Sequence, residues 1–433
     1  MNCKSLSKMR QASLLLLLAF GTLQYGQAQF IEVSYGAGYA QQAFLDLQSG
    51  QQTVVGNTTW DLALSVAPGP DAGIFLNEAA GSEGAPLNLF YTDETDFGAD
   101  IGEASLQGPI FNTEADWSNG AFNTLRDPED PFDYGWGQYS TTSHSISGNR
   151  VFVLQLRDGR LRKIWIESLS NGVYTIRHAN LDGSDEQVLE VDKAGFTNTS
   201  LAFVNISSNT IATNIPATSN WDLLFTRYIT PLDDGEGNTL DYLVAGTLSA
   251  PGVEVAIANG VDPTAVQFAD YAASLNPRAD AIGYDWKTFD LGTFQWMVPQ
   301  DRVYFVRRAS GETWKLSFVD FEGASTGLAV LQAEPLGILS STKVESSLGT
   351  ALKAYPNPAR DEVQILFDAA SAGSASLTVW SIHGQRLMEV PVEVNSGLNA
   401  LSLPVNGLPN GVYALRLSGA SWQSAAARIT IKR

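Results

Sequence analysis

Apolar and polar residues alternate along most of this chain with the period of a strand rather than of a helix. Trp60 to Val66 sets large apolar residues against smaller or polar ones, as a strand with one buried face does. Phe44-Leu45-Asp46-Leu47 reads as a short strand, followed by a turn from Gln48 to Gln52 that contains Gly50. Tyr134 to Tyr139 opens a later stretch, and Val151 to Leu156 is a strand. Asp158-Gly159 then makes a hairpin turn, and Leu161 to Glu167 returns as the partner strand. Gly172 with Val173 to Ile176 predicts another hairpin, closing near Asp182-Gly183. Pro68 to Pro131 is rich in Gly, Pro and Asp and reads as a long loop, either functional or ordered by its own packing. The one helical pattern is Val261 to Ala273, with Asp262 as N-cap and Pro263 in the first turn.

The strand pattern occurs twice. Trp60-Asp61-Leu62 returns as Trp221-Asp222-Leu223, inside Asn220-Trp221-Asp222-Leu223-Leu224-Phe225-Thr226-Arg227-Tyr228. Phe203-Val204-Asn205-Ile206 parallels the first strand, and Tyr284, Trp286 and Phe289 parallel Tyr134, Trp136 and Tyr139. Arg302, Gly311 and Lys315 follow Arg150, Gly159 and Lys163 at one common offset, so a hairpin is duplicated without a gap. The repeats are placed at 29–192 and 193–336. A duplicated strand buries the same face in both copies, so Trp60 and Trp221 are expected at equivalent buried positions.

A Ser/Thr/Gly-rich linker without apolar patterning covers 337–353. Beyond it, 354–433 carries strands at Val363–Phe367, Leu377–Trp380, Leu398–Leu403 and Tyr413–Leu417, with turns at His383-Gly384, Asn406-Gly407 and Asn410-Gly411. That spacing predicts a small Ig-like β-sandwich. The fold class expected for the whole chain is all-β.

Composition adds a compartment. Lys4, Lys8 and Arg10, then Leu14 to Phe20, then Gly26-Gln27-Ala28 form an export signal over 1–28. Its apolar run is too short to anchor the chain in a bilayer, so no transmembrane anchor is expected in the mature protein. Cys3 is the single cysteine and lies before the apolar run, so the mature chain has neither disulfides nor thiol chemistry. Removing the three basic signal residues takes the formal charge from −20 to −23, which opposes binding to nucleic acid or to an anionic membrane.

The C-terminal module resembles the type A sorting domain of the type IX secretion system. The resemblance rests on Tyr355-Pro356-Asn357-Pro358, on Leu408-Pro409-Asn410-Gly411-Val412-Tyr413, and on the final alternating strand Ile429 to Arg433. It implies recognition by the type IX machinery at the outer membrane, reached through the periplasm, and display at the cell surface or release. The duplicated region resembles HmuY-like haem-binding proteins in the Trp-Asp-Leu strand and in the strand-turn-strand ending at Gly311 and Lys315. That resemblance implies tandem β-rich modules and offers haem as the named ligand.

Haem ligation needs two imidazole or thioether groups facing one cleft. Outside the tail the candidates are His144, His178 and Met297; His144 and His178 are taken as the ligand-binding pair, although a single His is more often a packing residue. At the hairpin's offset His144 matches Trp296. Three acidic loops, Asp127 to Asp133, Asp182 to Glu186 and Asp233 to Glu236, supply oxygens but match no complete calcium loop, and read as solvated turns. Asp61 and Asp222 offer a pair of glycosidase carboxylates, but each holds the same place in the repeated Trp-Asp-Leu strand, and a buried Asp capping neighbouring backbone N–H groups explains both more simply. Trp117, Trp136, Trp286 and Trp296 form either a platform for sugar or porphyrin faces or, more simply, core. Signatures of hydrolases, metalloproteases and phosphate loops are absent from the sequence. The expected function is non-enzymatic binding of a small ligand or surface component. The rival expectation is a structural or adhesive surface protein, with a glycan-active enzyme third.

Overall fold

The computed structural model describes residues 28–67, 71–79, 86–213, 215–337, 352–369, 372–381, 386–419, 424 and 426–433. The signal and linker assignments, and the His383-Gly384 turn, lie almost wholly outside these residues. Every sheet is antiparallel apart from one isolated parallel bridge, and no α-helix occurs among the described residues. The protein is all-β.

The chain opens with β1 (Gln29–Ser34), β2 (Gln41–Leu45) and β3 (Gln52–Gly56). An unbroken stretch then supplies β4 (Leu62–Ser65), β5 (Ile74–Leu76), β6 (Asn88–Tyr91), β7 (Gln107–Ile110), β8 (Gly137–Ser140) and β9 (Ser145–Gly148). It continues as β10 (Phe152–Gln155), β11 (Leu161–Ser170), β12 (Val173–Asn180), β13 (Gln187–Asp192), β14 (Leu201–Asn205) and β15 (Thr210–Ile211). These twelve form unit I, a sandwich of an inner sheet β15-β14-β4-β5 on an outer sheet β13-β12-β11-β10-β6-β7, the latter extended by β9 and β8. Leu62, Leu64 and Ile74 from the inner sheet meet Phe152, Ile164 and Ile176 from the outer one.

Unit II repeats this plan with β16 (Leu223–Asp233), β17 (Thr239–Ser249), β18 (Glu254–Ala258), β19 (Thr288–Asp290), β20 (Gln295–Met297), β21 (Val303–Arg307), β22 (Thr313–Phe321) and β23 (Leu328–Gly337). It is completed by the start of the chain. Its inner sheet runs β17-β16-β2-β3 and its outer sheet β1-β23-β22-β21-β18. Repeats in the sequence and units in space are therefore out of phase. The strands that open the chain close the second unit, while their counterparts β13 to β15 close the first.

The equivalence is visible bond by bond. Asp61 N donates to the Val204 carbonyl at 2.8 Å, and Asp222 N to the Leu45 carbonyl at 2.7 Å. Trp60 and Trp221 are both buried, at 6 % and 3 % exposure. The two inner sheets face each other, so their outward residues are buried as well: Ala63 and Phe203 on one side, Phe44 and Leu224 on the other.

Two expectations need correction. The long loop from Pro68 to Pro131 contains β5, β6 and β7, whose short runs between turns carry little alternation. Val261 to Ala273 is not a helix. Asp262 does cap a turn, accepting from Thr264 N at 2.8 Å, but the chain continues as the short 3-10 turns Phe268–Asp270 and Ala272–Ser274. The apolar residues of this stretch, Val261, Val266, Phe268 and Tyr271, cover the outer face of β18 and β21 around Ala256 and Phe305.

The C-terminal module comprises β24 (Lys353–Tyr355), β25 (Glu362–Ala369), β26 (Gly373–Ser381), β27 (Arg386–Val394), β28 (Gly397–Pro404), β29 (Gly411–Gly419) and β30 (Ala427–Ile431). Sheets β24-β25-β28 and β27-β26-β29-β30 sandwich a core that includes Val363, Phe367, Leu377, Leu415 and Ile429.

Candidate functional site

The repeated aspartates clasp each unit shut. Asp61 Oδ2 accepts from Ile206 N at 2.8 Å and Ser207 N at 3.3 Å, and Asp222 Oδ2 accepts from Leu47 N at 2.8 Å. Each carboxylate also pairs with an arginine from the hairpin turn after β10 or β21: Arg157 lies 2.7 Å from Asp61, and Arg308 lies 2.8 Å from Asp222. The capping role expected for both aspartates holds. The arginines were not singled out in the sequence, although a basic residue just ahead of Gly159 and of Gly311 was the available signal.

Between the inner sheets lies a cleft. Trp60 stacks on Phe203 at 4.4 Å, Phe44 meets Trp221 edge-on at 5.2 Å, and Trp117 meets Trp221 at 5.8 Å. Trp117 stands half-buried, its Nε1 donating to the Ser249 carbonyl at 2.8 Å. The Trp60 Nε1 is buried and has no hydrogen-bond partner among the described residues. Walls and open mouth together enclose about 660 Å³, but the centres of water molecules reach only about 70 Å³ of it.

A polar seam runs along one side of the cleft. Asn77 Nδ2 donates to the carbonyls of Asn57 and Trp60, and Gln42 Nε2 donates to Asn77 Oδ1 at 3.3 Å. Glu78, only 4 % exposed, accepts from Asn112 N at 2.7 Å and from Ile229 N at 2.8 Å. It therefore ties the segment after β5 in unit I to β16 in unit II. Burial pushes its carboxyl up to about 8, against the opposing pull of those N–H donors.

The predicted histidines lie elsewhere. His178, on β12, is buried; its Nδ1 accepts from Arg162 Nε at 3.1 Å and its Nε2 faces Asn209 Oδ1 at 3.0 Å. Burial lowers its pKa. His144 occupies the turn between β8 and β9 with φ 53, its Nδ1 3.1 Å from the Tyr139 hydroxyl. Neither lines the cleft. Phe294, with φ 56 in the β19–β20 turn, is the counterpart of His144; the match to Trp296 came from an offset that changes by two residues before β10 and β21. Met297 is exposed on β20.

Among the described residues no three His, Cys, Asp or Glu side chains gather as a metal ion requires. The acidic loops serve their own turns: Asp133 accepts from Gly135 N, Asp182 from Ser184 N, and Asp234 from Glu236 N. Trp136 and Trp286 are core, whereas Trp117 and Trp296 are half-buried.

The sorting-motif residues converge on the last strand. Asn357 Nδ2 donates to the Arg428 carbonyl at 3.0 Å, and Thr430 N donates to Asn357 Oδ1 at 2.8 Å. Tyr355, Pro356 and Pro358 flank it, with both X–Pro bonds cis. The Gly411–Tyr413 stretch begins β29, which pairs with β30, and the Tyr413 hydroxyl donates to the Pro409 carbonyl at 2.7 Å. The module also rests on unit I. Leu366, Leu398 and Ala400 pack against the unit I core, the Tyr139 hydroxyl donates to the Leu398 carbonyl at 3.0 Å, and Lys353 pairs with Asp71 at 2.5 Å.

Among solved structures the chain is similar to dimeric latent PorU from Porphyromonas gingivalis, at 12 % identity over 66 % of this chain and 31 % of that one, with a TM-score of 0.18. It is similar to a polysaccharide lyase at 8 % identity, over 93 % of this chain and 46 % of that one, again with a TM-score of 0.18. It thus spans less than half the length of either, and scores this low transfer neither fold nor activity. No curated protein matches the chain. Among the described residues no helix is long and apolar enough to cross a membrane. Residues 353–432 match the family model of the secretion system C-terminal sorting domain. The C-terminal module is thus a type IX sorting domain, which engages the secretion machinery and directs the chain to the cell surface or out of the cell.

Proposed function

We propose that residues 29–337 form a non-enzymatic binding protein whose cleft between the inner sheets takes a small ring-bearing ligand. The observation that carries this reading is the indole N–H of Trp60, a residue of the cleft wall, buried without an acceptor among the described residues. A buried donor left unpaired costs roughly 1–3 kcal/mol, and an acceptor atom on a ligand offsets that cost. One water needs about 10–15 Å³ of such space, so the 70 Å³ open to water centres admits a group of a few heavy atoms. A single ring fits this description. The Glu78 carboxyl in the cleft already serves two backbone N–H groups, which supports binding rather than catalysis.

The test is titration with indole and with benzoate, followed by tryptophan fluorescence and melting temperature. At least one is expected to raise the melting temperature saturably, and Trp60→Phe to weaken that binding about tenfold, the equivalent of one hydrogen bond. No saturable shift with either, or unchanged affinity in Trp60→Phe, would refute the reading.

Within this reading the two units stand as HmuY-like modules, and haem is the ligand that likeness offers. Haemin titration examines it separately. A Soret shift abolished by His144→Ala or His178→Ala but kept in Trp60→Phe would put haem outside the cleft. The structural or adhesive alternative draws on the β19–β20 tip, where Leu291, Phe294 and Met297 are 77 %, 75 % and 55 % exposed. Loss of cell adhesion on Leu291→Ser/Phe294→Ser, with indole and benzoate binding intact, would favour it.

A further inference from the structure

The sorting module has several surfaces through which machinery could grip it, and two are already occupied. The outer face of β24-β25-β28 lies on unit I through Leu366, Leu398 and Ala400. The free edge of β30 is sealed by the segment after Pro358: Ala359 N donates to the Thr430 carbonyl at 2.8 Å and Lys432 N to the Ala359 carbonyl at 2.9 Å. An added strand therefore finds that edge taken.

Among the described residues the outer face of β27-β26-β29-β30 is open. Alternation along β29 and β30 sends Leu415, Leu417, Ile429 and Ile431 into the module core and Ala414, Arg416, Arg428 and Thr430 outward. The register sets Ala414 opposite both Trp380 and Arg428, and Thr378 opposite Arg416. Trp380, half-buried, thus shares one face with Arg416 and Arg428, while its direct cross-strand neighbours are Ala414 and Arg386, the latter paired with Glu389. Neither the Arg416 nor the Arg428 guanidinium makes an ion pair or a side-chain hydrogen bond among the described residues.

Charge separates the module from the rest of the chain, and its outer face sets Glu389 and Glu393 on β27 against the arginines of β29 and β30. Residues 354–433 carry six basic and five acidic side chains, whereas 29–353 carry 17 basic and 41 acidic ones. Every other arginine of units I and II except Arg227 spends its guanidinium on a carboxylate or a carbonyl, as Arg157 and Arg308 do. Unpaired arginines that share an open sheet face with a tryptophan have the makeup of a protein contact rather than of a solvated surface.

We propose that the secretion machinery reads the module through this face, with Arg416 and Arg428 as its charged contacts, and that the receptor surface is acidic around an apolar centre. The proposal rests on the sorting assignment and is independent of any ligand in the cleft.

The test uses the full chain in its producing cells, with fractions probed by an antibody against units I and II. Arg416→Glu/Arg428→Glu is expected to lower surface and released protein about tenfold and to raise the periplasmic pool, because reversed charges repel the partner they served. Arg416→Lys/Arg428→Lys should keep most of the export, and the purified reversal variant should melt like the parent. Parental export of the reversal variant, or equal loss with the lysine variant, overturns the proposal. Should the reversal unfold the module, Arg416→Gln/Arg428→Gln decides: several-fold loss supports the proposal and parental export overturns it. If the two arginines instead bind vesicles of anionic lipopolysaccharide while export is intact, the face serves a surface anion and the proposal fails.

Discussion

Unit I is built from one unbroken stretch, residues 62–211, whereas unit II needs strands from both ends of residues 29–337. Their clasps differ accordingly. In unit I, Asp61 is the sole carboxylate on Arg157 among the described residues, and Arg157 also donates to the carbonyls of Asn57 and Trp60. In unit II, Arg308 reaches Asp222, Asp46 and Glu312 and also donates to Gln48. Asp46 and Gln48 belong to the segment around β2, far away in sequence. The richer clasp stands where the chain must be gathered across the longest separation, and closing so long a loop costs more conformational entropy.

The comparison can be broken at its tryptophans first. Trp221→Ala and Trp60→Ala should each cost about 3–5 kcal/mol, because both rings are buried and neither site can collapse fully. Trp221→Ala should be the larger, since Trp221 contacts Phe44 within its own sheet and Trp117 from unit I, while Trp60 has Phe203 alone as ring partner among the described residues. Urea unfolding of both variants measures this; equal midpoints would remove the distinction.

The clasps give the next effect. Asp61→Ala leaves a half-buried arginine with no carboxylate among the described residues and should cost about 3 kcal/mol, the low end for breaking a buried pair. Asp222→Ala should cost visibly less, because Arg308 keeps Asp46 and Glu312. Chemical denaturation of the two variants side by side would reverse this ordering if the richer clasp did not compensate.

Two buried titratable groups sharpen the comparison further. Glu78 joins the units, and burial raises its carboxyl from 4.5 to about 8. The folded state therefore holds a proton that the unfolded chain gives up. That contribution to stability is complete below about 4.5 and is lost as pH rises through about 8. Melting temperature should fall over that window, and Glu78→Gln should flatten the slope.

Lys287 in unit II sits where unit I has Gly137, 4.2 Å from the centre of the Trp286 ring and donating to the carbonyls of Ala245 and Tyr284. Burial lowers its pKa from 10.5 to about 7. The unfolded chain thus holds the extra proton, and stability rises between about 7 and 10.5. Lys287→Met should stabilise by about 1 kcal/mol at pH 7, the low end for replacing a buried charge by an apolar side chain. The gain should fade toward pH 10.5, and thermal melts across that range would show it.

Much of this was legible in the chain. Period-two alternation, turn glycines and a repeated Trp-Asp-Leu identified most strands of the duplicated region and the sorting module, and the capping role of Asp61 and Asp222 followed from their repetition. Alternation failed where runs were short, as at β5 to β7, or where one apolar stripe could cover a sheet in any conformation, as at 261–273. The histidines were read from side-chain chemistry alone, which cannot tell that His178 is held by Arg162 and Asn209.

What the sequence determined by itself is local: which residues are strands, which face of each is apolar, where turns lie, and that one plan is used twice. Tertiary structure alone decided which strands pair. An alternating strand buries its apolar face equally well against any sheet of matching register, so nothing local assigns β2 to β16 rather than to β4. That choice depends on the outer sheets, where β1 pairs with β23 over six residues, and on clasps such as Arg308 to Asp46. The cleft and its unpaired Trp60 N–H exist because two inner sheets, each completed by strands from the neighbouring repeat, were brought face to face.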